Sequence, residues 1–316
     1  MIETPNHHAL VIGASGLIGW SVVNQLLRPL AGRPRLSLAT GVNLLCSDHK
    51  FKGTLKEKVS DVDSLMQRVV RAVKKLSPSF KFIVYPGGTT LEGAPLVEEL
   101  ADRLPLDYAK TVSYSHYRAM LTEECARASW SWCKLCPDAI IGFTPNGSGY
   151  SLAGHWSVYL YAYRLVHGEG AEVPYPGVQA GYDCLYSETS ATTLARFKGK
   201  MFNVADSETP SSMRKRWPQI ARWFGLVGTA PSSSAHVNDP KPSDFIQAHR
   251  ERLEEEGAKG VAIWNAGQLD SYGYWLTFDR QLSLRRLRDA GFDEERRPED
   301  GWWEAFEMFK KAGMIQ

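Results

Sequence analysis

The sequence predicts an α/β protein in which a doubly wound parallel sheet is followed by a mostly helical lobe. The run from His8 to Leu27 reads in order as a buried strand, a glycine-rich turn and a helix. Strand-like apolar segments then alternate with helical segments as far as Phe143, which is typical of a parallel sheet with crossover helices. From Ser151 onward the hydrophobic spacing is mostly that of helices.

The glycine-rich turn is the strongest functional signal in the chain. Gly13, Gly16 and Gly19 lie three residues apart, after the apolar strand Ala9–Ile12 and before an amphipathic helix. Such a turn lets backbone amides approach a pyrophosphate at the N-terminus of a helix. The amides expected to bind it belong to Ser15, Gly16, Leu17 and Ile18. The alternative is a tight strand-to-helix turn that binds nothing.

Composition limits the classes of partner. The chain has 316 residues, of which 43% are hydrophobic and 23% charged, as in an ordinary globular protein of about two domains. A net charge of +2 gives no electrostatic basis for binding nucleic acid or an anionic membrane. Neither a secretory signal nor an apolar run of membrane-spanning length is visible. We therefore expect a small-molecule partner, and neither nucleic acid nor membrane.

Cysteine usage predicts a cytoplasmic protein without a metal site. The five cysteines are odd in number and irregularly spaced, which is typical of reduced thiols. Cys133 and Cys136 lie three residues apart in a predicted strand, so their side chains point to opposite faces. No second cysteine pair completes a zinc site.

The first half of the chain contains the predicted strands and crossover helices. After a short strand over 35–39, they are a helix over 60–76, a strand over 80–85, helices over 94–103 and 114–128, and strands over 131–135 and 140–143. A loop is predicted to begin at Pro86, directly after the strand over 80–85. Loops at this end of a parallel strand are where open α/β sheets bind their ligands.

The second half is predicted to be helical apart from one returning strand. Its elements are a helix over 151–167, the strand over 201–204, and helices over 213–224, 244–256, 278–290 and 302–311. The sequence thus predicts a nucleotide-binding domain over 1–145, to which 200–206 returns. A mostly helical substrate-binding lobe is expected over 146–316.

Several segments together resemble a known family. They are VIGASGLIGWSVV, SWSWCKLCPDAIIGFTPN, HGEGAEVPYPG, MFNVADSETPSSMRKRWPQIARWFGL and FDRQLSLRRLRDAGF, with the pair Trp302-Trp303. The chain resembles the atypical short-chain dehydrogenase/reductases grouped with progesterone 5β-reductase and iridoid synthase, particularly their forms in filamentous fungi. The resemblance implies a Rossmann-like fold, NADPH as cofactor, and reduction of the C=C bond of an enone or enal, in secondary metabolism.

The interval between the opening helix and Phe80 departs from that family. From Leu30 to Phe80 it is too short for all the strands and helices that the family carries there. We expect a contracted sheet whose second and fourth strands are lost or severely shortened. Arg28 is a candidate remnant of the basic loop that binds the 2′-phosphate in relatives, and a solvated arginine at a helix end is the alternative.

A second departure affects the catalytic lysine that the resemblance implies. Relatives hold this lysine in the loop after the strand that ends near Tyr85, and here Thr89 takes its position. A lysine ammonium anchors ribose hydroxyls and lowers the pKa of a nearby tyrosine. The hydroxyl of Thr89 does the first weakly and the second hardly at all.

The catalytic tyrosine that the resemblance implies matches Tyr114. Its phenol would donate a hydrogen bond to the carbonyl oxygen, where negative charge collects during reduction. Arg118 lies four residues later on the same helix face and would supply a positive charge. His116 and Tyr117 compete for these roles, and a shift of register by one residue would replace the tyrosine with Ser115.

Residues after the later strands are expected near the nicotinamide and the substrate. Pro137 and Ile140 lie in the turn that faces the nicotinamide in relatives, and Asp138 between them fits better as a cap of that turn. The residues expected to line the substrate pocket are aromatic: Tyr117, Phe143, Trp156 and Tyr159. Core packing is the alternative for those at helical spacing.

Two functions from different classes remain open at this point. The first is an NADPH-dependent reductase of a small hydrophobic α,β-unsaturated carbonyl compound. The second is a redox-neutral cyclase or isomerase that keeps the pocket but has lost the cofactor, as the absent lysine and the short sheet suggest. A nucleotide-sensing regulator is a third reading. The oligomeric state stays open, a homodimer included.

Overall fold

The computed structural model describes residues 8–14, 16–27, 37–40, 55–77, 80–87, 113–145, 148–194, 201–232, 241–262, 265–274 and 276–316. Its amino-terminal elements are β1 His8–Val11, α1 Leu17–Leu27, β2 Ser37–Thr40, α2 Leu55–Leu76, β3 Phe82–Pro86, α3 Ser113–Cys125, β4 Ser131–Cys136 and β5 Ala139–Ile141. The predicted helix over 94–103 lies outside the described residues.

The carboxyl-terminal elements are mostly helices. They are α4 Leu152–His167, β6 Glu172–Pro174, α5 Gln179–Asp183, β7 Glu188–Ser190, α6 Ala191–Leu194, β8 Met201–Asn203, α7 Met213–Trp223, β9 Val227–Thr229, α8 Pro242–Ala248, α9 Arg250–Glu255, the 3-10 helix Lys259–Ala262, α10 Ala266–Ser271, α11 Arg285–Asp289 and α12 Pro298–Lys311.

The strands pair in parallel throughout the described residues. β3, β4 and β8 form a three-stranded sheet in that order, and three pairs accompany it: β1 with β2, β5 with β7, and β6 with β9. Lys134 in the central strand lies opposite Tyr85 on one side and Met201 on the other. The predicted α/β fold with a parallel sheet is confirmed, and so is the strand that returns near residue 201.

Both faces of the three-stranded sheet are covered by apolar side chains. On one face, Tyr85 and Trp130 pack with Val70 of α2 and Leu121 of α3. On the other face a second cluster joins the sheet to α11, and its members are Cys133, Leu135, Phe202, Val204, Ala205, Leu282, Leu284 and Leu287. Helices therefore cover the sheet from two sides, as in a doubly wound fold.

The largest core lies in the helical part of the chain. Trp156 of α4, Trp217 of α7 and Trp302 of α12 are fully buried within it. Local signals explain how α4 begins and ends. The Ser151 hydroxyl accepts the Gly154 N–H at 3.1 Å, and Gly168 ends the helix with φ of 88°.

A buried ion pair ties three elements of this core together. The Arg216 guanidinium of α7 donates to the Glu188 carboxylate of β7, with Nη2 2.6 Å and Nε 3.0 Å from its oxygens. Trp302 Nε1 of α12 donates to the same carboxylate at 2.7 Å. Both charged side chains are fully excluded from solvent. Removing either partner would therefore leave a buried charge without its counterion and destabilise the fold.

Two predicted helices have different bounds in the structure. The helix predicted to begin at residue 60 begins at Leu55, because the preceding Lys and Glu residues are themselves good helix formers. The helix predicted over 278–290 is wrong in its first half. Only Arg285–Asp289, in the second half of that range, is helical. Arg280 is instead held in a bridge beside Tyr186, since its N–H donates to the Leu185 carbonyl at 2.7 Å.

The described residues between α1 and β3 contain one strand and one helix. These are β2 and α2, and residues 28–36 and 41–54 around them lie outside the described residues. The contraction predicted from the length of this interval stays a prediction.

Candidate functional site

The glycine-rich turn connects β1 to α1 through a residue whose backbone has a left-handed conformation. Gly13 has φ of 76°, a conformation that side chains other than glycine adopt only with strain. The Gly16 N–H donates to the Gly13 carbonyl at 3.0 Å, and the Trp20 N–H donates to the Gly16 carbonyl at 2.8 Å as α1 begins. The turn therefore has the tight form that the sequence predicted.

The three glycines have different surroundings. Among the described residues, a Cβ atom on Gly13 would meet nothing within 4 Å, and one on Gly16 would meet only the Gly13 carbonyl oxygen, at 3.4 Å. A Cβ atom on Gly19 would lie 2.7 Å from the Gly13 carbonyl carbon and 2.9 Å from Ala14 Cα. Gly19 is thus required for α1 to sit on the turn, whereas no other described residue fills the space beside Gly13 and Gly16.

We expect Gly19→Ala to destabilise the protein, because the atoms in its way belong to the backbone. Overpacking of this kind costs about 1–3 kcal/mol, so the free energy of unfolding in urea should fall by about 2 kcal/mol. Gly16→Ala is the matched control and should change it by less than about 0.5 kcal/mol. Equal effects of the two substitutions would contradict the packing described for the turn.

The turn lies against the end of β5. A Cβ atom on Gly142 would be 3.3 Å from Leu17 Cδ1 and 2.6 Å from the Ala191 Cβ atom of α6. Ile18 and Ile140 both pack against the same apolar cluster of the sheet. The structure therefore brings the glycine turn together with the segment after β4, and the side chains of Leu17 and Ile18 face protein.

Phe143 links α1 to the helical part of the chain. Its ring is 6.5 Å from the Trp20 ring and 5.0 Å from the Phe309 ring, in edge-to-face contacts. Trp156 and Tyr159 are buried deeper, and each contacts Trp217. Their packing favours the core role that the sequence left open, and a role in lining a pocket stays a prediction.

The start of α3 carries the predicted catalytic residues. Tyr114 is the second residue of this helix, one turn before Tyr117. The buried Tyr117 ring contacts the Tyr85 ring edge-on at 5.8 Å. Arg118 follows and is half-buried. Because a crossover helix runs antiparallel to its strands, Tyr114 lies at the carboxyl edge of the sheet.

Tyr85 places a hydroxyl group without a partner close to this edge. Its side chain is only 4% exposed, and its oxygen has no hydrogen-bond partner among the described residues. Burial raises the pKa of Tyr85 above its usual value, the Cys136 thiol adds to this, and the Arg118 charge opposes it. The hydroxyl is therefore a proton donor at every physiological pH.

The structure also reveals a buried lysine that the sequence analysis did not single out. Lys134 in the middle of β4 is 7% exposed, and its side chain crosses Gly87. A Cβ atom on Gly87 would overlap with Lys134 Cε and lie 3.1 Å from Nζ. The signal in the sequence was a single charged residue inside the otherwise apolar strand SWCKLC.

Asp138 has the structural role that the sequence favoured, but the partners of its carboxylate lie far from its own turn in the sequence. Its carboxylate accepts Arg280 Nε at 3.0 Å and the Ser187 N–H at 3.3 Å. Burial raises the pKa of Asp138, and the neighbouring Arg280 charge opposes the rise. The neighbouring Pro137 is buried.

Three predicted site residues, Ser15, Arg28 and Thr89, lie outside the described residues. Within the described part of the chain, no helix combines the length and apolar character needed to cross a bilayer. No group of three His, Cys, Asp or Glu side chains there is arranged to hold a metal ion.

The parallel sheet, its covering helices and the glycine turn define a Rossmann-type α/β protein. The chain belongs to the family described as PRISE-like Rossmann-fold domain, whose model matches residues 56–316. Solved structures share the fold at low identity. A GDP-L-fucose synthetase from Naegleria fowleri is 12% identical, with a TM-score of 0.62 over 98% of this chain and 94% of that one.

Two similar proteins are called short chain dehydrogenases. The ausT protein of Aspergillus calidoustus is 25% identical over 393 residues, which take in 100% of this chain and 96% of ausT. The sirQ protein of Leptosphaeria maculans is 24% identical over 387 residues, covering 97% of each chain. The chain is therefore similar, over almost all of its length, to proteins named for the short-chain dehydrogenase class of oxidoreductases. Because the first alignment is longer than the 316 residues of this chain, ausT carries segments that this chain lacks.

Proposed function

We propose that the protein is an NADPH-dependent reductase of a small hydrophobic α,β-unsaturated carbonyl compound. The observation that carries the proposal is the tight glycine turn at the N-terminus of α1, beside which no other described residue fills the space at Gly13 and Gly16. Support also comes from the family and from the resemblance to progesterone 5β-reductase and iridoid synthase. A solved structure with the same fold, a heptose synthase from Campylobacter jejuni, was determined in the presence of NADPH.

The residues of the turn fit the pyrophosphate of a dinucleotide. Among the described residues no side chain would take the place of phosphate oxygens beside Gly13 and Gly16, and the amides at the N-terminus of α1 would bind those oxygens. Pro137 and Ile140 follow β4 at the same edge of the sheet and would hold the nicotinamide. The 2′-phosphate contact proposed for Arg28 rests on the sequence alone.

The chain's own residues would act on the carbonyl end of the substrate. NADPH, when bound, supplies a hydride to the β-carbon of the enone. Negative charge then collects on the carbonyl oxygen, and the phenol of Tyr114 would donate a hydrogen bond to it. Arg118, one turn further along α3, would add a positive charge, and Thr89 a hydroxyl for the ribose. Tyr117, Phe143, Trp156 and Tyr159 are the apolar groups proposed to exclude water.

A nucleotide titration tests the proposal. Quenching of tryptophan fluorescence by NADPH should give a dissociation constant in the micromolar range. Gly16→Val, which fills the open side of the turn, should weaken binding at least tenfold with the fold intact by circular dichroism. NADPH consumption with 2-cyclohexen-1-one or trans-2-hexenal should follow. Absence of nucleotide binding by the wild-type protein would remove the reductase from consideration.

A redox-neutral cyclase or isomerase is the second candidate. The contraction predicted between Leu30 and Phe80 and the threonine at position 89, where the resemblance implies a lysine, favour this candidate. A shaped apolar cavity with one or two hydrogen-bond donors is sufficient for such chemistry. Turnover of an enone or enal to an isomer without nucleotide would select this candidate, and strict dependence on NADPH would exclude it.

A further inference from the structure

We propose that Lys134 is the buried cation of the active site, and that it stabilises the negative charge that forms on the substrate oxygen. The inference rests on the proposed function, since it concerns the same edge of the sheet. It adds a residue from the interior of β4, a position to which the sequence analysis assigned no function.

The burial of Lys134 is unusual for a lysine. The residue lies in the central strand of the three-stranded sheet, between β3 and β8, and is 7% exposed. Its side chain leaves the face that carries Tyr85 and Trp132, whereas Cys133 and Leu135 belong to the apolar cluster on the opposite face. Lysine is among the residues least often buried, because its ammonium is strongly hydrated in water.

The side chain of Lys134 runs toward the carboxyl edge of the sheet. The residue of β3 that lies opposite Lys134 is Tyr85. The Nζ atom of Lys134, however, lies beside Gly87, two residues after Tyr85 in the chain. Gly87 continues the ladder of β3 and β4, as its N–H donates to the Leu135 carbonyl at 2.6 Å. It is not one of the glycines with positive φ. The missing side chain at Gly87 therefore serves to let Lys134 pass.

Other polar groups meet on the same side of the sheet. Tyr85 and Lys134 are register partners, so their side chains leave the same face, which α3 covers. The Tyr85 hydroxyl lacks a partner among the described residues, and Arg118 of α3 is close enough to influence its pKa. Tyr114 begins α3 at this edge. The face of the sheet from which Lys134 projects therefore also carries the Tyr85 hydroxyl, with Arg118 of α3 above it.

A charge in this position acts without moving a proton. Lys134 would act through the electric field of its ammonium, which favours the anionic oxygen over the neutral carbonyl. At an effective dielectric constant of about 20 and a separation of about 6 Å, a unit charge changes such an equilibrium about 100-fold. This charge would compensate for Thr89, where the resemblance leads one to expect a lysine.

The first test compares three lysine variants in NADPH-dependent reduction of 2-cyclohexen-1-one. We expect Lys134→Met to lower kcat about 100-fold with little change in KM, and Lys134→Arg to recover part of it. Lys81→Met is the matched control, because Lys81 is exposed and lies just before β3 at the opposite edge. Equal kcat values for Lys134→Met and the wild-type protein would overturn the inference while leaving the proposed function intact.

The second test needs no turnover and no nucleotide. 4-Nitrophenol absorbs differently as phenol and as phenolate, so its spectrum reports the charge that a site prefers. Wild-type protein should bind it largely as phenolate and Lys134→Met largely as phenol. If the wild-type protein reduces no enone, the proposed function fails. The spectrum of bound 4-nitrophenol then still shows whether Lys134 stabilises an anionic oxygen. Equal ionisation in both proteins, or no binding to the wild type, would refute the inference.

A variant that keeps the lysine guards against misfolding of Lys134→Met. Gly87→Ala should push the flexible end of Lys134 away from the edge at little cost in thermal stability. We expect it to lower kcat at least tenfold in the wild-type background and to have no further effect in Lys134→Met. Additive losses in the double variant would show that Gly87 and Lys134 act separately.

Discussion

Replacement of Tyr114 by phenylalanine should lower kcat by about 100- to 1000-fold, the usual result of removing one hydrogen-bond donor to a developing oxyanion. NADPH affinity should stay within about twofold, since the proposed phosphate contacts lie on the glycine turn. Stopped-flow measurement of NADPH oxidation with saturating enone separates the chemical step from binding.

Two controls make the Tyr114 result specific. Tyr150→Phe removes the hydroxyl of a tyrosine that is 77% exposed and should leave kcat unchanged. Ser115→Ala tests the alternative register, in which Ser115 takes the position of the tyrosine. A large loss in Ser115→Ala, with Tyr114→Phe active, would move the donor by one residue. Full activity in both variants would remove this helix start from the mechanism.

Glu188→Gln is expected to have the largest effect on stability. It would leave the fully buried Arg216 guanidinium with the Glu299 carboxylate, 3.4 Å from Nη1 and partly exposed, as its remaining charged partner among the described residues. Removing one partner of a buried pair costs about 3–5 kcal/mol, and the loss here should lie near the lower of these values. Trp302 Nε1 would also lose its charged acceptor. Urea denaturation monitored by tryptophan fluorescence gives the change in the free energy of unfolding.

An exposed ion pair provides the control for Glu188. Lys74 and Glu124 approach to 2.6 Å but remain partly exposed to solvent, so Glu124→Gln should cost less than about 1 kcal/mol. The double variant Glu188→Leu, Arg216→Met should recover much of the loss, because no charge is then buried alone. A cost below about 1 kcal/mol for Glu188→Gln would show that water reaches the pair.

Much of the fold could be predicted from the sequence because its strands and helices carry clear periodic patterns. β1, the glycine turn and α1 follow from a short apolar run, three spaced glycines and helical spacing after them. β8 was expected from the apolar run at Met201, and pairing with β4 confirms it as a returning strand. The helix over 278–290 failed because two tertiary contacts of Arg280, with Leu185 and Asp138, hold the chain extended.

The candidate site was less predictable. Sequence spacing placed Tyr114 at the start of a helix, and the structure agrees in backbone position. Its role, like that of Thr89, rests on resemblance and stays a prediction. Lys134 escaped notice because strand periodicity does not tell which face of a central strand is covered. Only the pairing on both sides of β4 and the helix above it show that this lysine is buried.

The crossing of Lys134 over Gly87 limits how these two positions can change during evolution. With any side chain at position 87, a lysine at 134 has no room to extend to the edge of the sheet. A lineage could acquire the lysine usefully only after, or together with, the loss of that side chain. Homologues should therefore show strong covariation between the two sites, with lysine at 134 accompanied by glycine at 87.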